Sequence, residues 1–153
     1  MDKSDNTLIR PAEAADVEAI FHIRTSVKEN HLSREQMADM GITPDVIKET
    51  IAAGPCAWLA EVDDSPVAFA MIDVEGGCVF AAFVSPEFEG RGLGSKLMAE
   101  AEAGLFSANE TIWLETDGKS RAYGFYMRLG WKPVSTYENG DVRLEKKRPQ
   151  TGK

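Results

Sequence analysis

The segment with the most chemical content is Val84-Ser85-Pro86-Glu87-Phe88-Glu89-Gly90-Arg91-Gly92-Leu93-Gly94-Ser95-Lys96-Leu97. It runs from an apolar, strand-like stretch through a proline turn and a glycine-rich loop into a helical pattern that begins without a Ser, Thr, Asp or Asn cap. Uncapped N–H groups at a helix start, together with the positive end of the helix dipole, form a site for phosphate or pyrophosphate. Gly90, Gly92 and Gly94 would let such a ligand reach the backbone without meeting a Cβ. The same glycines also fit a plain strand-to-helix turn, and taken alone the two readings stand level. The spacing does not match Gly-x-x-x-x-Gly-Lys-Ser/Thr, so a P-loop nucleotide hydrolase is excluded. A dinucleotide fingerprint would need a parallel βαβ unit early in the chain, whereas this loop lies in mid-chain after three closely spaced strands.

The elements around this loop follow from periodicity and punctuation. Thr7 to Arg10 reads as a strand closed by Pro11, and Asp16 as the cap of a helix running to about Glu29, with Val17, Ile20, Phe21 and Val27 on one face. Ser33 with Gln36 forms a capping-box pattern ended by Gly41, and Thr43-Pro44 starts a further helical piece ended by Gly54. Cys56–Val62, Val67–Val74 and Cys78–Val84 read as strands. The breaks between them, Asp63 to Pro66 and Glu75 to Gly77, are too short for a crossover helix, so these strands form an antiparallel meander. Leu93, Leu97, Ala101 and Leu105 recur four apart in a helix from Gly92 to about Phe106. Thr111–Thr116 is a strand, and a helix carrying Ala122, Phe125, Tyr126 and Leu129 stops at Gly130. Trp131–Tyr137 and Asp141–Lys147 flank the hairpin signal Asn139-Gly140. The sum is an α+β domain on a largely antiparallel sheet of about seven strands with about four helices, spanning 1–153 with frayed ends at about 1–5 and 148–153. Trp58, Trp113 and Trp131, like Met37, Met40, Met71, Met98 and Met127, read as core or helix filler.

Composition narrows the function. The 153 residues carry 25 Asp+Glu against 17 Lys+Arg, a net charge of −8, which argues against a nucleic-acid binder. No apolar run approaches the ~18 residues that span a bilayer, and the start, MDKSDNTLIRP, reads as neither a secretory nor an organellar leader. Cys56 and Cys78 make neither a disulfide framework nor a zinc site; read as buried free thiols, they point to the reducing cytoplasm.

Two motifs together give a resemblance. Glu89 to Gly94 is similar to the acyl-CoA-binding motif Arg/Gln-x-x-Gly-x-Gly/Ala of the GNAT superfamily of N-acetyltransferases. Ala122, Phe125, Tyr126 and Gly130 resemble its Asn-x-x-Ala-x-x-Phe-Tyr-x-x-x-Gly-Phe segment, with Trp131 in the last place. The order of elements agrees from Thr7 to Lys147. Glu89 departs from Arg or Gln, and Lys119 stands where Asn is common. The resemblance implies an acetyl-CoA-dependent N-acetyltransferase with no metal, in which a primary amine attacks the thioester directly. It implies that the backbone of Phe83 and Val84 pairs with the pantetheine arm by β-augmentation and that an N–H there meets the thioester carbonyl. Glu89, Gly90, Arg91, Gly92, Gly94, Ser95 and Lys119 would hold the phosphates or the arm, and Tyr126 would protonate the departing thiolate. The base is open. Glu115, alternating with Ile112 and Leu114, faces either the cleft or solvent; Glu29, Asn30 and His31 follow the first helix, where such proteins build their acceptor wall. Acceptors would be small-molecule or peptide amines, with neither nucleic acid nor membrane as partner, and an exposed edge strand could pair two copies. A non-catalytic acyl-CoA-sensing module is the alternative. A nucleotide-binding oxidoreductase has only the glycines behind it.

Overall fold

The computed structural model describes residues 7–27, 32–54 and 56–149. The chain forms β1 (Thr7–Pro11), α1 (Val17–Ser26), α2 (Arg34–Asp39), α3 (Pro44–Ala53), β2 (Ala57–Val62), β3 (Ser65–Asp73), β4 (Cys78–Val84), α4 (Leu93–Phe106), β5 (Thr111–Asp117), α5 (Arg121–Arg128), β6 (Lys132–Thr136) and β7 (Asp141–Lys147). The strands make one mixed seven-stranded sheet in the order β1-β2-β3-β4-β5-β7-β6, antiparallel except where β4 meets β5. That junction is parallel because α4 is the crossover between the two strands. The α+β class and seven strands agree with the sequence reading, with five α-helices rather than about four.

Local chemistry explains most boundaries. The Ser33–Gln36 capping box is complete, and the Thr43 hydroxyl accepts from the Val46 N–H ahead of Pro44. Asp16 does not cap α1 with its carboxylate, which belongs instead to the capping box of the preceding turn. It sits at the end of a 3-10 turn, takes a paired contact from Arg10 at 2.8 and 2.9 Å, and accepts the Glu13 N–H. The helix it precedes ends at Ser26, where Val27 turns extended. The β2–β3 turn uses only Asp63 and Asp64, both at positive φ, the hairpin geometry whose twist suits flanking strands, so Ser65 and Pro66 belong to β3 rather than to the break. In the last hairpin only Gly140 has positive φ; the turn is three residues, closed by Tyr137 N–H to Asp141 C=O and Gly140 N–H to Tyr137 C=O. Arg148 is tied down, donating to the Phe106 and Asn109 carbonyls at the end of α4, so the ordered chain runs past the expected fraying point.

Helices cover both sheet faces and divide the core. One cluster packs α4 against the sheet through Leu93, Leu97, Met98, Ala101 and Leu105 and includes Tyr126 and Trp131. The other packs α1, α2 and α3 through Val17, Ile20, Phe21, Ile23, Met37 and Ile47 against Leu59, Phe69 and Met71. Met40 and Met127 are exposed rather than core. Cys78 is buried and Cys56 half-buried, both free, and burial pushes both thiols up.

Candidate functional site

Strand β4 pairs with β3 along its length apart from a bulge at Phe80, but meets β5 only through Cys78 and Trp113. That end is clamped: Trp113 donates its N–H to Gly77 C=O at 3.0 Å and its indole N–H to Gly76 C=O at 2.8 Å. Beyond the clamp the ladder stops, and a cavity of about 1060 Å³ passes between the strands, lined by Val79–Val84 on one side and Leu114–Asp117 on the other. It reaches α1 on one face and the start of α4 on the other, slightly above the ~300–1,000 Å³ usual for small-molecule sites.

Backbone direction on the free edge of β4 follows from one bond. Ser85 N–H donates to Val67 C=O at 2.8 Å, which makes Ala68–Val84 a non-hydrogen-bonded pair. Val84 and, two residues back, Ala82 therefore turn their N–H and C=O groups into the gap. Phe83 turns its own toward β3, so the expected backbone contact from Phe83 is corrected: it contributes its ring instead, lining the α1 side of the cavity.

The loop after β4 delivers the chain into α4 with Gly90 at φ 79° and Gly92 at φ 82°, a left-handed conformation that side chains rarely adopt. Gly92 occupies the N-cap, no carboxylate lies in the first turn, and the first helical bond is Lys96 N–H to Gly92 C=O. The helix supplies no acceptor for the N–H groups of Leu93, Gly94 and Ser95, whereas α2, α3 and α5 are each capped by a side-chain oxygen. Gly94 has a different cause from its neighbours, because a Cβ there would stand 3.1 Å from Phe125 Cζ. It lets α4 and α5 pack.

Glu89 is balanced by a residue far along the chain: Arg121, opening α5, reaches its carboxylate at 2.9 Å. Arg91 stays outside the cavity lining, with its guanidinium 4.7 Å from the centre of the Phe88 ring. Lys119 lines the cavity from the β5–α5 turn, where its N–H is held by Asp117 at 2.9 Å.

Tyr126 lines the cavity on the α4 and α5 face. Its ring lies between Phe125 and Trp131, centroids 5.3 and 6.3 Å away. Trp131 is anchored by Glu102 at 3.0 Å, and Glu102 by Lys146 at 2.8 Å. Burial pushes the Tyr126 hydroxyl up to about 12, so it stays protonated, and among the described residues it has no hydrogen-bond partner. Glu115 is exposed on the opposite face from buried Ile112, Leu114 and Thr116, lines the cavity, and accepts the Tyr137 hydroxyl at 2.9 Å. That bond holds the Tyr137 proton more tightly than usual. Glu29, Asn30 and His31 lie outside the described residues.

Residues 53–133, more than half of the chain, match the profile of the acetyltransferase (GNAT) domain. The chain belongs to the GNAT acetyltransferase family.

Solved structures with the same fold include the PaiA N-acetyltransferase of Thermoplasma acidophilum in complex with coenzyme A, at TM-score 0.76 and 18% identity over 94% of this chain and 99% of that one. The ribosomal-protein-S18-alanine N-acetyltransferase of Escherichia coli aligns at TM-score 0.69 and 19% identity, covering 95% and 96%. Arabidopsis thaliana Naa50 in complex with the bisubstrate analogue CoA-Ac-MVNAL aligns at 0.68 and 18%, covering 93% and 99%. No curated protein sequence matches significantly. No helix among the described residues is long and apolar enough to cross a membrane, and no group of three or more His, Cys, Asp or Glu there could hold a metal.

In this GNAT domain the described residues fit an acyl-CoA. An open strand edge suits an amide-bearing arm, the uncapped start of α4 suits a pyrophosphate, and the cavity between them is continuous. Arg121 and Tyr137 escape a sequence reading, since each meets its partner only across the folded chain. Arg24 had one legible signal: a charge inside the stripe formed by Ile20, Phe21, Ile23 and Val27.

Proposed function

We propose that this protein transfers an acetyl group from acetyl-CoA to a primary amine on a small molecule or peptide, by direct attack of the amine on the thioester. The observation that carries the reading is the open edge of β4, with Val84 and Ala82 turned into the gap, leading directly to the uncapped N-terminus of α4. Acetyl-CoA supplies an activated acyl group with a good leaving group. The N–H of Val84 is the candidate donor to the thioester oxygen, a role for which removing one donor elsewhere costs about 3–4 kcal/mol. The N–H groups of Leu93, Gly94 and Ser95, with Gly90, Gly92 and Lys119 beside them, receive the phosphates, and Arg121 masks the charge of Glu89.

Proton traffic divides between the two sheet faces. Tyr126, neutral and desolvated on the α4 side, is the proton donor to the thiolate, a contribution at the low end of ~10²–10⁴-fold. Glu115, on the α1 side with Tyr137 on one oxygen, takes the amine proton directly or through water. The sheet thus separates base from acid, so an amine entering from the α1 face and a thiol leaving on the α4 face never compete for one group. Peptide and protein amines gain support from the coenzyme A–peptide analogue bound to Naa50 and from the alanine acetyltransferase of Escherichia coli. The two free thiols suit the cytoplasm.

The test is to mix the protein with acetyl-CoA and a panel of amines and follow free thiol. Amine-dependent thiol release supports the reading. Thermal stabilisation by acetyl-CoA with no release from any amine would leave a sensing module.

A further inference from the structure

We infer that the acceptor amine carries a carboxylate and that Arg24 receives it; the inference rests on the acetyl-transfer reading above. Arg24 projects from α1 into the cavity with its guanidinium 4.1 Å from the centre of the Phe83 ring. Its Nη1 is the sole buried side-chain nitrogen or oxygen among the described residues with no hydrogen-bond partner. Arg10, Arg34, Arg121 and Arg143 each face a carboxylate. Burying an arginine donor without an acceptor is costly, and burial weakens its hold on the proton. An aliphatic side chain would fill the same wall without that cost.

Among the described residues nothing in the cavity serves as its partner. The side chains that line the cavity from α1, α2, α3 and β3 beside Arg24 itself are apolar, Phe21, Met37, Ile47 and Phe69 among them. Of the carboxylates lining the cavity, Glu89 is held by Arg121, Glu115 by Tyr137 and Asp117 by the Lys119 N–H. The phosphates of acetyl-CoA do not account for it either. Their site lies at the start of α4, on the face opposite α1. A guanidinium laid on an aromatic face keeps its N–H edge open for a two-pronged carboxylate contact. Phe83 adjoins Val84, the candidate donor to the thioester oxygen, so this anion site lies close to the reacting centre. The ligand chemistry is therefore an amine with a nearby carboxylate, as in a free amino acid or a peptide whose first residue is acidic.

The experiment compares matched acceptors: amino acids against their carboxamides and decarboxylated amines, and peptides beginning with Asp or Glu against those beginning with Asn or Gln. The two arms separate the two sources of carboxylate. In the parent protein the carboxylate-bearing member of one arm should have kcat/KM about 10- to 100-fold higher, the range of a charge-assisted contact. Arg24→Met should collapse that ratio to about one through a rise in KM on the carboxylate-bearing member, while holding or raising the thermal midpoint, since a half-buried guanidinium with an unpaired buried N–H is removed. A parent with no preference, or a variant that keeps it, overturns the inference and leaves acetyl transfer standing. A variant that loses thermal stability and acts on no acceptor shows a structural role and also overturns it. A second readout needs no turnover: N-acetyl amino acids, added with CoA, should raise the thermal midpoint of the parent and not of the variant. If no amine releases thiol, the acetyl-transfer reading fails, and this binding result alone decides whether Arg24 is an anion site.

Discussion

Replacing Tyr126 by Phe separates the chemistry of this site from its packing. The ring is 7% exposed and wedged between Phe125 and Trp131, so the substitution keeps the core and removes one oxygen. That oxygen has no partner among the described residues, so no donor or acceptor is stranded; at pH 8 the variant should unfold within about 1 kcal/mol of the parent. Stability should diverge only in alkali. Burial raises the hydroxyl to about 12 from the ordinary 10.0, so below pH 10 both folded and unfolded chains hold this proton and the group is silent. Between about pH 10 and 12 the unfolded chain ionises while the folded chain does not, and the parent loses stability as pH rises. Two pH units at ~1.36 kcal/mol each place the loss on the order of 2–3 kcal/mol. Urea titrations of both proteins at pH 8, 10, 11 and 12 measure it by difference, since Tyr123, Tyr137 and the lysines are common to both. Acetyl transfer by the variant should fall about 100-fold in kcat with CoA binding retained. The parent should show no alkaline fall in kcat from this group below about pH 10. Equal alkaline loss in the two proteins would refute the burial argument, and an unchanged kcat would remove Tyr126 from the chemistry.

Gly94→Ala places a Cβ 3.1 Å from Phe125 and should cost about 1–3 kcal/mol by urea unfolding, recovered in the Gly94→Ala, Phe125→Leu double variant. If stability is unchanged and only CoA affinity drops, the glycine serves ligand approach instead. Arg121→Ala should change stability by less than about 1 kcal/mol because the pair is exposed, yet weaken CoA binding several-fold by calorimetry by leaving Glu89 unmasked; adding Glu89→Gln should restore it. Glu115→Gln should lower kcat/KM about 100-fold, whereas an unchanged kcat/KM would assign the proton to another group.

Much of the architecture is written in short-range terms. Ser33 with Gln36, Thr43 before Pro44, and the four-residue recurrence from Leu93 to Leu105 each satisfy nearby backbone or repeat on one helix face, so they are visible without a fold. The same holds for the uncapped start of α4 and for Tyr126 before Gly130, where one turn of chain carries the whole signal. Asp16 misleads because a cap and a salt-bridge partner are the same residue type, and Arg10 wins the carboxylate. Gly94 misleads because a glycine needed for ligand approach and one needed for packing look alike until Phe125 is seen beside it.

By itself, then, the sequence determined most of the elements, their order and the uncapped, glycine-rich entry into α4, since hydrogen bonding within a few residues and the period of apolar side chains are local quantities. Only the tertiary structure decided that β4 and β5 part after one pair, that Val84 rather than Phe83 turns its backbone into the gap, and that Glu115 and Tyr126 lie on opposite faces. It also decided that Arg121 shields Glu89 and that Arg24 lies beside Phe83 with its Nη1 buried and, among the described residues, without an acceptor. Those facts depend on where chain segments tens of residues apart come to rest, and desolvation and ion pairing take their strength from that placement.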